Sequence, residues 1–144
     1  MADTAGERDD RGLSELVAEL LRLGVSLYGF ADVSGLFSGV WGEWPRAVSL
    51  ALALLAEELR DVWSGGPTPA YYDAHLAANA RLDVVSREVA DLIRHLGHRA
   101  RPYPATVSAA ELESDLGAAL TAPVHHKAIV TRAGLGWLGR SDCS

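Results

Sequence analysis

The side chains best suited to chemistry crowd the C-terminal part of the chain. His125-His126-Lys127 stands one short helix ahead of Ala133-Gly134-Leu135-Gly136-Trp137-Leu138-Gly139-Arg140. A histidine beside a cationic lysine suggests an anion contact; a pair of solvated side chains is the plainer alternative. His125 and His126 are not a metal pair, because neighbours on a helix point about 100° apart. Gly134, Gly136 and Gly139 match G-x-G-x-x-G. A dinucleotide fingerprint needs a strand before the motif, a helix after it and an acidic residue about 20 positions on. Here a helix precedes it and five residues follow. The glycines read instead as a helix C-cap and tight turns, since glycine adopts positive φ. Trp137 in such a turn is either a plug for the core or a flat surface for a planar ligand.

Other constellations are weaker. His95 and His98 have i, i+3 spacing, but Gly97 interrupts the helix between them and no third ligand follows, so no metal site is expected. Tyr72, Asn79 and Asp83 share one face at the start of a long helix, where a polar stripe reads as solvated surface. A Ser–His–Asp hydrolase has no G-x-S-x-G elbow to rest on. The chain has one cysteine, Cys143, which excludes a disulfide framework and a Cys-rich zinc or iron–sulfur site within this chain.

These groups need a scaffold, and 144 residues suit one domain with a real core. Apolar residues make up 49% and charged residues 22%, which argues against disorder along the whole length. Thirteen Lys and Arg against nineteen Asp and Glu leave a formal charge of −6, which argues against general nucleic-acid binding. The most apolar run, Ala47 to Ala56, is half as long as a membrane span requires, and the acidic N-terminus is no signal peptide. A cytoplasmic protein with a disordered tail over 1–10 and a single domain over 11–144 is expected.

Leu13, Leu16, Val17, Leu20 and Leu21 form one stripe of an amphipathic helix that Asp9 or Asp10 caps and Gly24 ends. Val25 to Val33 reads as a buried strand in which Gly29 marks a close backbone approach. Ser34 to Pro45 is a loop carrying Phe37, Trp41 and Trp44, either a lid on the protein's own core or a ligand or partner surface. Ala47 to Leu55 is a second strand covered on both faces, with a buried helix as the competing reading. Thr68 caps a helix that starts with Pro69 and runs to Leu96, with Val85, Val89, Leu92, Ile93 and Leu96 as its apolar stripe. His98 to Tyr103 reads as a third strand, followed by helices over 109–120 and 124–132. The expected fold class is α/β (α+β), a small mixed sheet flanked by helices.

Several pieces, in order, resemble one family along most of the chain. They are Gly24-Val-Ser-Leu-Tyr-Gly29-Phe-Ala-Asp32, Ala47-Val-Ser-Leu50, Gly66-Pro67-Thr68 with Tyr71 and Tyr72, Asn79-Ala-Arg-Leu82-Asp83, Gly97-His-Arg-Ala100, His126-Lys127 and Ala133-Gly-Leu-Gly-Trp-Leu-Gly139-Arg140. The series resembles the epoxyqueuosine reductase-like proteins, and AGLGW-hydrophobic-G-[KR] is its most specific piece. The resemblance implies a distantly nitroreductase-like N-terminal domain, which in the reductases proper binds cobalamin and reduces an epoxide on a tRNA wobble nucleoside. Two [4Fe–4S] clusters in a following ferredoxin domain supply the electrons. It also implies a cofactor-binding set of Gly134, Gly136, Trp137, Gly139, His126 and Lys127.

The chain departs from that pattern in three ways. It stops at Cys143-Ser144, before the family's cysteine motif, so it resembles a truncated or split member. Leu116 to Val124 has no acid where the reductases carry a proton-donating aspartate. His126-Lys127 stands where they have Glu-Arg. Two classes of function follow. One is a redox domain that holds cobalamin or another flat cofactor and takes electrons from a separate iron–sulfur protein, inactive as this chain alone. The other is a non-catalytic module that binds a partner, or a second copy of itself, through an unpaired sheet edge.

Overall fold

The structure, a computed structural model, describes residues 5–60, 62–106 and 124–138. Its elements in chain order are α1 (Ala5–Arg22), β1 (Leu27–Asp32), a 3-10 turn (Gly39–Trp41), β2 (Arg46–Ala51), α2 (Ala56–Leu59), α3 (Val62–Gly65), α4 (Pro69–His95) and α5 (His126–Arg132). The fold is mixed α/β. The chain divides into two compact units. One holds the described residues of Met1–Ser26 and Leu52–Ala105; the other holds those of Leu27–Ala51 and Thr106–Ser144.

The first unit is helical. Leu16, Leu20, Leu23 and Val25 are buried, as are Val85, Val89 and Ala90 of α4, against which α1 packs. The buried line on α1 is narrower than the leucine spacing predicts: Leu16 and Leu20 are buried, but Leu13 and Leu21 are 49% and 65% exposed. α1 also begins at Ala5, so residues 5–10 are helix where a tail is expected, and neither Asp9 nor Asp10 is its cap. Its C-terminus is closed by a Schellman motif. The Gly24 N–H donates to Leu21 O (3.1 Å) and the Val25 N–H to Leu20 O (3.2 Å), with Leu20 and Val25 both buried beneath. The Arg81 Nη2 of α4 donates to Leu23 O at 3.0 Å, so a cation sits at the negative end of α1.

α4 follows the sequence closely. The Thr68 Oγ1 accepts from the Tyr71 N–H at 3.1 Å and Pro69 occupies the first turn. The same Schellman pattern ends it: the Gly97 N–H donates to Arg94 O (3.0 Å) and the His98 N–H to Ile93 O (3.1 Å). Val85 and Val89 are buried; Leu92, Ile93 and Leu96 are half-buried.

The expected third strand, His98 to Tyr103, is irregular. Pro102 removes one of its donors and Pro104 follows directly after it, and side chains of α4 hold this stretch and the residues after it. The Arg94 Nε donates to Ala100 O (3.1 Å), and the Asp83 Oδ1 accepts from the Ala105 N–H (2.8 Å). The expected helix over 109–120 lies outside the described residues.

The second unit contains an antiparallel pair, β1 and β2, in the register Leu27↔Ala51, Gly29↔Ser49 and Ala31↔Ala47. Among the described residues the sheet has these two strands, so it is antiparallel where a mixed sheet is expected. β2 stops at Ala51, four residues short of the expected strand, and Ala47 to Ala51 are half-buried, not covered on both faces. Beyond it the Ala53 N–H turns to the Ser26 Oγ (2.8 Å) and Leu55 leads into α2, its N–H donating to the Glu58 Oε2 (2.8 Å). A strand's alternation sorts the sheet into two faces. Gly29, Ala31, Ala47 and Ser49 are small and lie on one; Tyr28, Phe30, Val48 and Leu50 form the other. The Tyr28 and Phe30 rings meet edge to face, centroids 5.9 Å apart.

Candidate functional site

The glycine–tryptophan segment is built on the end of α5. His125 precedes the helix, His126 is its first residue and Ala133 caps its C-terminus. The Gly134 N–H donates to Thr131 O and the Leu135 N–H to Val130 O, both at 3.1 Å, and Gly134 has φ +72°. This is a third Schellman motif, the helix cap read from the sequence.

The turn is seated on the small face of the sheet. A Cβ on Gly29 would lie 2.9 Å from the Ala133 Cβ, 3.0 Å from the Leu135 Cγ and 3.1 Å from the Ala133 carbonyl oxygen. Glycine at 29 is thus what lets the α5 cap touch β1, the close approach expected there. The Arg132 Nη1 adds a hydrogen bond to Asp32 O at 3.2 Å.

Trp137 follows this anchored turn and is 87% exposed; Leu138 beside it is 55% exposed. The reading of Trp137 as a core plug is therefore overturned: Ala133 and Leu135 make the contact with β1, and the indole stands outside it. The described turn carries no ionisable side chain. It offers an apolar plane on a fixed bend, not a proton or a nucleophile.

The other expected site residues are placed differently. His126 is exposed and Lys127 half-buried at the start of α5, with Lys127 O accepting from the Thr131 Oγ1 at 2.9 Å. Gly134 closes the same helix about 12 Å of axial rise later. The His126–Lys127 pair and the glycine turn thus occupy opposite ends of α5. Gly136 is half-buried, and a Cβ there would meet Val130 Cγ1 only at 4.0 Å. Gly139 and Cys143 lie outside the described residues.

Reading the sequence missed the cluster beside this turn. The Asp32 Oδ1 accepts from the Ser34 N–H at 2.9 Å, an Asx turn that starts the long loop. Hydrogen bonds from Ser34, side chain and backbone, hold the Asp32 carboxyl below the usual aspartate range, and the Arg46 and Arg132 charges add to this. Asp-x-Ser directly after a strand is the signal that could have found it. The loop itself is pinched at its neck, where the Val33 N–H donates to Pro45 O at 2.8 Å. Phe37, Trp41 and Trp44 are half-buried within it, while Val40 is 61% exposed.

On α4, Tyr72 is exposed, Asn79 reaches His75 (Nδ2 to Nε2, 3.1 Å), and Asp83 holds the Ala105 backbone. His75 also stacks on Tyr71, with centroids 6.1 Å apart. The expected solvated stripe is thus in part a structural one. His95 and His98 are both exposed. Among the described residues no group of three or more His, Cys, Asp or Glu side chains is placed to hold a metal, and no helix is long and apolar enough to cross a membrane.

No protein-family model, curated protein or solved structure matches the chain.

Proposed function

We propose that the chain is a cofactor-carrying scaffold of the epoxyqueuosine reductase-like, distantly nitroreductase-like kind, working in the cytoplasm. In this reading Trp137 is the contact for a flat macrocycle such as a corrinoid. The observation that carries it is the combination at the end of α5: a turn pinned by its Schellman bonds and by Gly29, bearing an indole that is 87% exposed. A large aromatic held outside the core on a rigid bend is costly to leave in water, and it fits one face of a planar ligand.

The donor set separates the two cofactors of that family. A four-thiolate cluster does not fit the one cysteine of these 144 residues, so the ligands of any cluster would come from outside them. A corrinoid fits the apolar plane of Trp137, with Gly134 and Gly136 leaving the backbone free of side chains beside it. A bound corrinoid would supply the redox chemistry. The chain's own part is to hold one face of the ring and keep water off it.

The test is a titration of the full chain with hydroxocobalamin, followed by visible absorbance. A saturable spectral change is expected, lost in Trp137→Ala and kept in His95→Ala. No change at high micromolar protein, or equal losses in both variants, would remove this reading.

A further inference from the structure

One peptide group of the second unit carries two bonds that lead to different elements. The Asp32 carbonyl accepts from the Arg132 Nη1 at the end of α5 (3.2 Å). The Val33 N–H donates to Pro45 O across the neck of the aromatic loop (2.8 Å). That carbonyl and that N–H are the two ends of the Asp32–Val33 peptide. The peptide is planar and trans, so the two groups point in opposite directions and turn together. A rotation of the plane that releases Arg132 also swings the N–H away from Pro45. The Asx turn spans the same link, with the Asp32 Oδ1 accepting from the Ser34 N–H at 2.9 Å, and holds the plane in this setting. A guanidinium on the carbonyl also polarises the amide, which strengthens its N–H as a donor. Arg132 is in turn tied to the α5 cap. The next residue, Ala133, is the one seated against Gly29, and Gly29 stands three residues before Asp32 on β1, about 10 Å away. The end of α5 therefore rests on β1 at two points, by packing at Gly29 and by a hydrogen bond at Asp32.

We infer that the neck of the aromatic loop and the tryptophan-bearing cap of α5 open and close together, joined by Arg132 as a positioning residue through the Asp32–Val33 peptide. The closed state has both the Arg132–Asp32 and the Val33–Pro45 bond; the open state has neither. Trp137 travels with the cap, whereas Phe37, Trp41 and Trp44 travel with the loop. Whatever holds the cap against β1 favours the closed neck. Linked equilibria are reciprocal, so a closed neck also steadies the cap. A ligand on Trp137 would thereby order a loop that it need not touch. That use of the device rests on the function proposed above; the coupling between Arg132 and the neck does not.

The test is residue-resolved amide hydrogen exchange on the full chain without ligand. Arg132 is exposed, so Arg132→Met keeps the fold and the apolar stem while deleting the donor. Exchange of the Val33 N–H should accelerate about three- to tenfold, the scale of one hydrogen bond lost from a local opening. The Leu96 N–H, bonded to Leu92 O at the end of α4, should exchange as before, which separates the effect from a general loss of stability. Gly134→Ala strains the cap at a position 89 residues from Pro45, and it should accelerate the same Val33 amide. Combined with Arg132→Met it should add nothing further at Val33, because the link is already cut. A Val33 amide indifferent to Arg132→Met, or two effects that simply add, would overturn the coupling. In a second arm, hydroxocobalamin should slow Val33 exchange in the parent chain and not in Arg132→Met. Binding seen by absorbance that leaves Val33 exchange unchanged would overturn the transmission to the loop. No binding at all would count against the cofactor reading alone, since the ligand-free series decides the coupling.

Discussion

Gly29 and Ala133 meet where β1 passes the capped end of α5: a Cβ at position 29 would stand 2.9 Å from the Cβ of Ala133. Such a distance forces something to move, and the nearest atoms include a backbone carbonyl. Gly29→Ala should therefore destabilise the protein by about 1–3 kcal/mol, the usual cost of overpacking. Gly12→Ala is the contrast. Gly12 lies inside α1, and a Cβ there would meet only Leu96 Cδ1, at an ordinary 3.8 Å. It should stabilise by about 0.5–1 kcal/mol through helix propensity. Urea midpoints of the two variants should move in opposite directions; a stable Gly29→Ala would mean that the α5 cap does not rest on β1.

Gly134→Ala tests the cap itself. With φ at +72° the new side chain is strained even though nothing crowds it, and about 1–2 kcal/mol should be lost. Gly134→Asn should recover part of that loss, because asparagine tolerates the left-handed region. Equal losses in both variants, read by thermal denaturation, would argue against the Schellman geometry.

Arg81 ties α4 to the end of α1 through Leu23 O. Arg81→Met keeps much of the apolar stem and deletes the charged donor. It should cost about 1–2 kcal/mol in a chemical denaturation curve, the range of a charge-assisted hydrogen bond to a helix C-terminus. A change below a few tenths would show that water replaces the donor freely.

Asp32 gives a pH dependence with a definite sign. Its pKa is lowered in the folded chain, first by the side-chain and backbone hydrogen bonds of Ser34 and then by Arg46 and Arg132. The unfolded chain therefore takes up its proton first as pH falls. The stabilisation is fully present above the ordinary aspartate pKa, about 3.9, and is lost as pH falls through the lowered folded value. Glu19, lowered by its hydrogen bonds with Arg22, acts in the same direction. Asp32→Asn should flatten the acid limb of a stability–pH curve while leaving the slope near neutrality unchanged. An unchanged acid limb would remove Asp32 from the account.

Trp137→Ala should leave stability within about 0.5 kcal/mol, as befits a side chain that buries little of itself. A larger loss in thermal unfolding would show that the indole packs in solution and would weaken its assignment to a ligand.

Local rules carried much of the fold. The Thr68–Pro69 start of α4 and the glycines ending α1, α4 and α5 could be read directly, because caps and left-handed turns depend on a few adjacent residues. Gly29 could be read as a close approach, though not what approaches it. Pairing could not be read. His98 to Tyr103 has the composition of a short strand, but Pro102 lacks a donor and the Ala100 carbonyl is taken by the Arg94 side chain of α4. The apolar run after Ala47 looks like a strand as far as Leu55, yet the turn of the Ala53 N–H to the Ser26 Oγ accompanies its departure from β2.

The candidate site divides the same way. Residue order alone placed a capped helix end ahead of Trp137 and made Gly134 its left-handed residue, since both follow from backbone sterics within one turn. Whether the indole filled a core or stood in solvent was open at that level, because burial depends on which neighbours arrive from distant parts of the chain. Tertiary packing decided it: Ala133 and Leu135 took the space above Gly29, Arg132 closed the Asp32 end of β1, and Trp137 was left facing out.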